Sequence, residues 1–495
     1  MRAISFSAPS RPLSRTLAQP RRSTNLFARA DESLRIVRDP LRMVLFVNTI
    51  LTVSRVHLHY PSVARLRPVL VLVIAAAAYA YMNPRFLTRT NVLTLWPMRL
   101  IAFLGVSACG SVVFGISLGS AAHFVLDSYF KTLVYAFLIA MSIRNVRDLY
   151  TLIWAYVISC SILVYFSLFV FGITKAAGSY VARLDHLYTY DSNDLGVVII
   201  VGLALTLFLL EVVRGPRRWF LLLNLAGILA TVARSGSRGG FLGLVVVGAA
   251  ALVLVKSISL LRRILLLAAS VLALWIGAPA GYWKQMSTIL QPTEDYNYTT
   301  KDGRKAVSER GLLYMRMYPW FGLGINNFGR AECSISPKLQ TMNRSGPIRC
   351  TPPHNSFIQA GAELGVPGLI AWTSLVIGGI VAMFRMRRRL PLSWRRGSET
   401  QRFLYGATTF FALALVGFAV TSFFVSFAWM DPLYLMAAFI SGWYIIVRGQ
   451  IGQLPGPEAI TVASALGLLR VTPGWRVRRS ARWVPSARAL PRASE

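Results

Sequence analysis

A chain of 495 residues that is 55% apolar and only 15% charged carries more apolar side chain than a soluble domain of its length has core to hide. Its formal net charge of +34 would suit a nucleic-acid partner, but the arginines sit in short clusters between apolar runs of about 20 residues, the arrangement that orients helices in a bilayer. Nucleic-acid binding is therefore set aside, and the basic loops are read as partners of anionic membrane lipids.

Residues 1–40 hold Arg2, Arg11, Arg15, Arg21, Arg22, Arg29, Arg35 and Arg38, with no acid before Asp31 and no apolar core of signal-peptide type. They read as a basic cytoplasmic tail, with an organelle transit segment as the alternative for so Arg- and Ser-rich a start. A membrane domain over 41–447 follows. Its twelve apolar spans lie at about 41–54, 67–82, 97–117, 121–142, 149–172, 195–213, 218–233, 238–255, 264–281, 366–384, 403–425 and 428–447. With the N-terminus inside, every second connection is cytoplasmic. These carry Arg85/Arg89, Arg144/Arg147, Arg214/Arg217/Arg218, Lys256/Arg262/Arg263 and the seven arginines from Arg385 to Arg402, while the alternate short connections are poorer in positive charge. Both termini are then cytoplasmic, including the basic tail 448–495 with Arg476, Arg478, Arg479 and Arg482.

The long polar loop, about 282–365 between spans nine and ten, falls outside and is the natural place for chemistry; 303–318 reads as a helix lying on the membrane surface. Cys109 and Cys160 lie in apolar runs, whereas Cys333 and Cys350 lie in this loop. On an oxidising side the second pair can bridge and constrain the segment leading to His354; two separate thiols are the alternative, since spacing alone does not bring them within bonding distance. Pro352 and Pro353 suit the start of a helix, which puts His354 near a helix N-terminus. There the helix dipole favours a phosphate and disfavours imidazolium, leaving a neutral imidazole able to accept a proton. Gly365 and Gly368 let the chain turn and pack closely as it re-enters the bilayer. A single loop histidine is more often structural than catalytic, so these features do not assign chemistry by themselves. Glu309 and Glu363 are candidate helpers or solvated helix charges, and Tyr296, Tyr298, Tyr314, Tyr318 and Trp320 are interface anchors or platforms for sugar rings. Asn48, His57 and His59 receive no role. No Asp, Glu, His or Cys cluster in the loop has metal-ligand spacing, so neither a metal nor a cofactor is expected.

The segment HNSFIQAGAELGVPG, with His354-Asn355 and then Gly365-Val366-Pro367-Gly368, is similar to the signature of the O-antigen ligase family. Gly303-Arg304 with Pro319-Trp320-Phe321-Gly322-Leu323-Gly324 and Asn327-Phe328 resembles the family's arginine helix and the turn after it. Ser237-Arg238-Gly239-Gly240 resembles the Ser-Arg-Gly element that opens its ligase domain. Arg183 with Asp191-Ser192-Asn193 resembles an arginine followed by an Asp-Pro-Asn turn, with Ser192 in place of the proline. These matches run from about 183 to 370 in the family's order.

The resemblance implies an all-α membrane protein of about twelve transmembrane helices, similar to the C-type glycosyltransferases, in the bacterial inner membrane. It implies a donor saccharide on undecaprenyl diphosphate, an acceptor glycan or lipid A-core, and inverting transfer at the periplasmic face. By the same resemblance His354 assists the acceptor hydroxyl and Arg238 and Arg304 stabilise the departing diphosphate, while Arg183, Asn193, Arg310 and Asn355 bind substrate. Polymerisation or ligation is preferred over protein glycosylation because no additional periplasmic domain for a protein acceptor is read. The competing class is a transporter or flippase for lipid-linked oligosaccharide, which needs ionisable groups at mid-membrane. Asp127 and Lys131, one helical turn apart, are its one hint, and no repeat relates the two halves of the chain.

Overall fold

The computed structural model describes residues 39–175, 182–185, 188, 190–255, 259–291, 303–341, 350–454, 456–467, 469–471 and 477–479. The arginines of the N-terminal tail, Lys256, Tyr296, Tyr298, Arg476 and Arg482 lie outside these residues. Among the described residues nine helices of at least 15 residues precede the long loop: α1 (Pro40–Ser54), α2 (Pro68–Met82), α3 (Trp96–Phe114), α4 (Leu118–Ser142), α5 (Val146–Phe169), α6 (Ser192–Val212), α7 (Arg217–Ser235), α8 (Arg238–Leu254) and α9 (Leu260–Gly277). The loop carries α10 (Arg304–Met317), and α11 (Ser356–Arg389), α12 (Glu399–Ser422) and α13 (Asp431–Gln450) follow. Two short antiparallel strand pairs, Ile173–Thr174 with Arg183–Leu184 and Leu469–Val471 with Val477–Arg479, are the only strands among the described residues.

Each of the twelve apolar runs coincides with a helix, because a backbone in hydrocarbon must satisfy its hydrogen bonds within its own segment. Seven of these helices, α3, α4, α5, α6, α11, α12 and α13, are long and apolar enough to cross a membrane. Helices α1 and α2, of 15 residues each, reach only about 22 Å at the helical rise, short of the roughly 30 Å hydrocarbon core. Polar caps set several helix starts. Asp39 accepts from the Arg42 amide ahead of α1, Asn145 caps α5, and Asp191 with Asp194 forms a capping box on α6. Arg42 and Arg144 then tie α1 to α5 through Asp148, at 2.9 and 3.1 Å, and Arg144 also pairs with Asp39.

The bundle is centred on α6, α12 and α13, which are mostly enclosed by other helices. Small residues bring α6 and α8 together: a Cβ built on Gly196 would sit 3.2 Å from the Gly240 Cα. Gly417 of α12 likewise presses against Ile200 of α6, where a Cβ would come within 2.6 Å of a side-chain carbon. These crossings fix the mouth of α6 against the mouth of α8.

In the loop, α10 falls where 303–318 predicts a helix, but α11 begins at Ser356 instead of about 366. The hydropathy pattern takes the Gly365–Gly368 element for the loop's end, whereas it is a break inside a helix that the Asn355 side chain has already capped. At the break Gly365 adopts φ 70° and ψ −174°, and Pro367 has no amide to donate. The turn after α10 fills that gap. Leu323 N–H donates to the Ala362 carbonyl (2.8 Å), Gly324 N–H to the Glu363 carbonyl (3.2 Å), and Val366 N–H to the Pro319 carbonyl (2.8 Å). The buried Glu363 carboxylate accepts from the Asn326 amide (2.7 Å) and the Trp429 indole (2.6 Å), joining this turn to the α12–α13 connection.

Gly322 has φ 68°, and a Cβ there would lie 2.4 Å from the Glu363 carbonyl carbon. Gly322→Ala is therefore expected to cost about 1–3 kcal/mol and lower the melting midpoint in detergent. Gly248→Ala, built into open space, leaves the midpoint in place. Equal midpoints in the two variants would contradict the interlock.

Candidate active site at one mouth of the bundle

Three sequence elements, around residues 183, 193 and 237, meet at the starts of α6 and α8. The Asn193 side-chain oxygen accepts from Arg183 Nη2 (2.9 Å) and from Ser237 Oγ (2.9 Å), and Arg183 Nε donates to the Ser235 carbonyl (3.3 Å). Arg183 is held in place by its strand pairing with Thr174, and Asn193 by the Asp191 cap on its amide (2.6 Å). Ser237 is fully buried and caps α8 by accepting from the Gly240 amide (3.2 Å). Arg238, the first residue of α8, donates from Nη1 to the buried Thr288 hydroxyl (2.8 Å). One guanidinium is thus fixed at a helix mouth whose position depends on another guanidinium two elements away.

His354 sits ahead of α11 with φ 49°, a left-handed conformation unusual for a side-chain-bearing residue. Its amide donates to Ser426 Oγ (2.8 Å). Asn355 caps α11 through its side-chain oxygen, which accepts from the amides of Phe357 (2.9 Å) and Ile358 (3.1 Å). Ser356 Oγ donates to the Val425 carbonyl (2.8 Å) and accepts from the Phe427 amide (2.9 Å). Two residues before Ser426, Phe424 packs on Gly239, where a Cβ would lie 3.1 Å from the Phe424 Cβ. The short connection after α12 therefore holds the Ser-Arg-Gly element with one residue and the His-Asn element with its neighbours. Burial pushes the His354 imidazole below its ordinary pKa, the Arg304 charge lowers it further, and Asp191 opposes the shift. His354, Arg304 at the start of α10 and Asp191 at the start of α6 thus share one electrostatic neighbourhood.

Other residues singled out from the sequence lie apart from this mouth. Arg310 makes a two-pronged ion pair with the fully buried Glu332 (2.7 to 3.0 Å), which also accepts from Tyr314 (2.8 Å) and pairs with Lys338 (3.2 Å). Cys333 and Cys350 form a disulfide with Cα atoms 5.1 Å apart, joining the helix Phe328–Ser334 to the segment that leads to His354. Glu309 and Trp320 are exposed. Asp127 accepts from Arg67 (3.3 Å).

Sequence reasoning passed over Arg55, which follows α1 with φ 52°, lies 4.6 Å over the Tyr190 ring and sits 3.8 Å from Asp431. It also passed over Ser426 and Thr288. Arg55 shows in the sequence only as a basic residue at the polar end of a span; its partners lie more than a hundred residues further on.

Seven helices of membrane length mark a multi-pass membrane protein, with arginines and a histidine near one mouth of the bundle. Residues 219–373 match the O-antigen ligase family, so this part of the chain is similar to the O-antigen ligase domain and supports kinship with the O-antigen ligase/polymerase superfamily. Such a domain indicates O-antigen ligase-type activity in polysaccharide assembly. The match spans Arg238, Arg304, Arg310, His354 and Asn355, while Arg183 and Asn193 precede it. Comparison with curated proteins finds no match.

Because burial and Arg304 both act against imidazolium, His354 is expected to titrate below 6.5 and to be neutral at pH 7. Removing the positive neighbour in Arg304→Gln moves the midpoint upward, which an NMR titration of labelled histidine in detergent reads directly. An unmoved midpoint would separate the two residues. In unreduced, denatured protein a maleimide is expected to label Cys109 and Cys160 alone, and to label all four cysteines after reduction.

Proposed function

We propose that this chain moves a saccharide from undecaprenyl diphosphate to an acceptor hydroxyl at the periplasmic face of a bacterial inner membrane. The observation that carries the reading is the shared mouth: the Arg183–Asn193–Ser237 network next to Arg238, with a half-buried His354 under the field of Arg304. The disulfide fits a loop exposed to an oxidising compartment.

In the proposed step the bond from the anomeric carbon to the phosphate oxygen breaks, and the diphosphate leaves with the electron pair. The guanidinium groups of Arg238 and Arg304 stabilise the negative charge that grows on that oxygen. The acceptor oxygen bonds to the anomeric carbon from the opposite side, inverting the centre, and its proton passes to the neutral imidazole of His354. Arg183 and Asn193, bonded to one another and to Ser237, act as positioning residues for Arg238. Arg310 holds α10 through Glu332 and so positions Arg304 at that helix's start. The left-handed bend at His354, tied to the Ser426 hydroxyl through the His354 amide, sets the imidazole just ahead of the helix that Asn355 caps. Joining repeat units or attaching a finished glycan to lipid A-core uses the same step with different acceptors.

Purified protein incubated in detergent with lipid-linked repeat units and candidate acceptors, without any gradient, is expected to form product. His354→Ala and Arg238→Ala are each expected to lower the rate by about 10²-fold or more at unchanged protein level. Wild-type-like product from both variants would remove the proposed site.

A further inference from the structure

At the other end of α6 and α12 lies a cavity of about 540 Å³, bounded by the ends of α6, α8 and α11, the start of α7 and the start of α12. Six arginines line it: Arg214, Arg217, Arg387, Arg395, Arg396 and Arg402. Against them stand two acids, Glu211 and Glu399, which leaves a surplus of four positive charges around one concavity. Its inner wall is aromatic, formed by Phe208, Phe403 and Phe410. Asn193 and the proposed active site stand at the opposite end of α6, whose 21 residues rise about 30 Å.

Basic loops that only orient helices have no reason to converge; spread over the surface, they snorkel separately into headgroups and water. Here the arginines come from the α6–α7 connection and the start of α7, the end of α11, and the α11–α12 connection and first turn of α12, yet face one hollow. Gathering like charges beside an aromatic wall raises their mutual repulsion, and a bound anion offsets it. Arg387 is held in position for such an anion: it donates to Thr409 Oγ1 and to the Leu254 carbonyl (3.4 Å), and it lies 5.1 Å over the Tyr405 ring.

We infer that this cavity is a second binding site, for a phosphate-bearing anion, distinct from the active site. Guanidinium forks match phosphate oxygens, the headgroup chemistry of an anionic phospholipid. A lipid seated there bridges the α6–α7 and α11–α12 connections at the face opposite the reaction.

The test uses the full-length protein in detergent. Native mass spectrometry is expected to show phosphatidylglycerol retained at least tenfold over phosphatidylcholine. Retention falls to the phosphatidylcholine level in the Arg395→Ser/Arg396→Ser variant, with its melting midpoint unchanged. Arg388→Ser/Arg389→Ser removes the same charge from exposed positions outside the cavity and is expected to keep the lipid. Calorimetry with pyrophosphate forms the soluble arm: binding lost in the 395/396 variant but not in the 388/389 variant supports the phosphate site with a water-borne ligand. Equal loss of lipid in the two variants, or no preference for either phosphate ligand, overturns the inference.

Discussion

Two pieces of irregular backbone, the turn from Pro319 to Gly324 and the break at Gly365, satisfy each other's hydrogen bonds, and the proposed site is built on that exchange. A helix interrupted near a bilayer strands carbonyls and amides that lipid cannot serve, so the break persists only where other polypeptide supplies partners. The carbonyls of Ala362 and Glu363 and the amide of Val366 find theirs in this turn. The Glu363 carboxylate extends the arrangement to Asn326 and Trp429. One consequence is geometric: α10, which begins with Arg304, cannot shift against α11, which begins just after His354, without exposing buried polar groups.

The glycine contacts between α6 and α8 do the complementary work for the second guanidinium. With backbones nearly touching at Gly196 and Gly240, Asn193 comes within hydrogen-bond distance of Ser237, and the next side chain, Arg238, inherits that placement. Phe424 and Ser426 then hold this half of the mouth to the half that carries His354. Packing, not chain proximity, assembles the chemistry.

Much of this was legible in the residues. Continuous apolar runs marked twelve helices, because period and length are local properties. Pro352 and Pro353 marked the approach to α11, and four scattered short motifs marked the mouth. What escaped was set by long-range contact. Pro352 and Pro353 gave the helix start beside His354, but its continuation into span ten was hidden because the Gly365-Val366-Pro367-Gly368 element looks like a loop end until the turn that mends it is seen. The attachment of Arg310 to Glu332 was hidden because a buried carboxylate 22 residues onward gives no local sign of its burial. Arg55 was passed over for the same reason, with Tyr190 and Asp431 as its neighbours.

The connection after α12 also has a bearing on biogenesis. Phe424, Ser426 and Trp429 are made late, after every arginine and histidine of the mouth has left the ribosome. Until that stretch is threaded into position, the carboxylate at 363 lacks its indole, the amide at 354 lacks its hydroxyl, and the glycine at 239 lacks its aromatic cover. A nascent chain halted at the end of α12 would hold every arginine and histidine of the proposed site and still lack these partners, so the mouth is completed as one of the last events of membrane insertion.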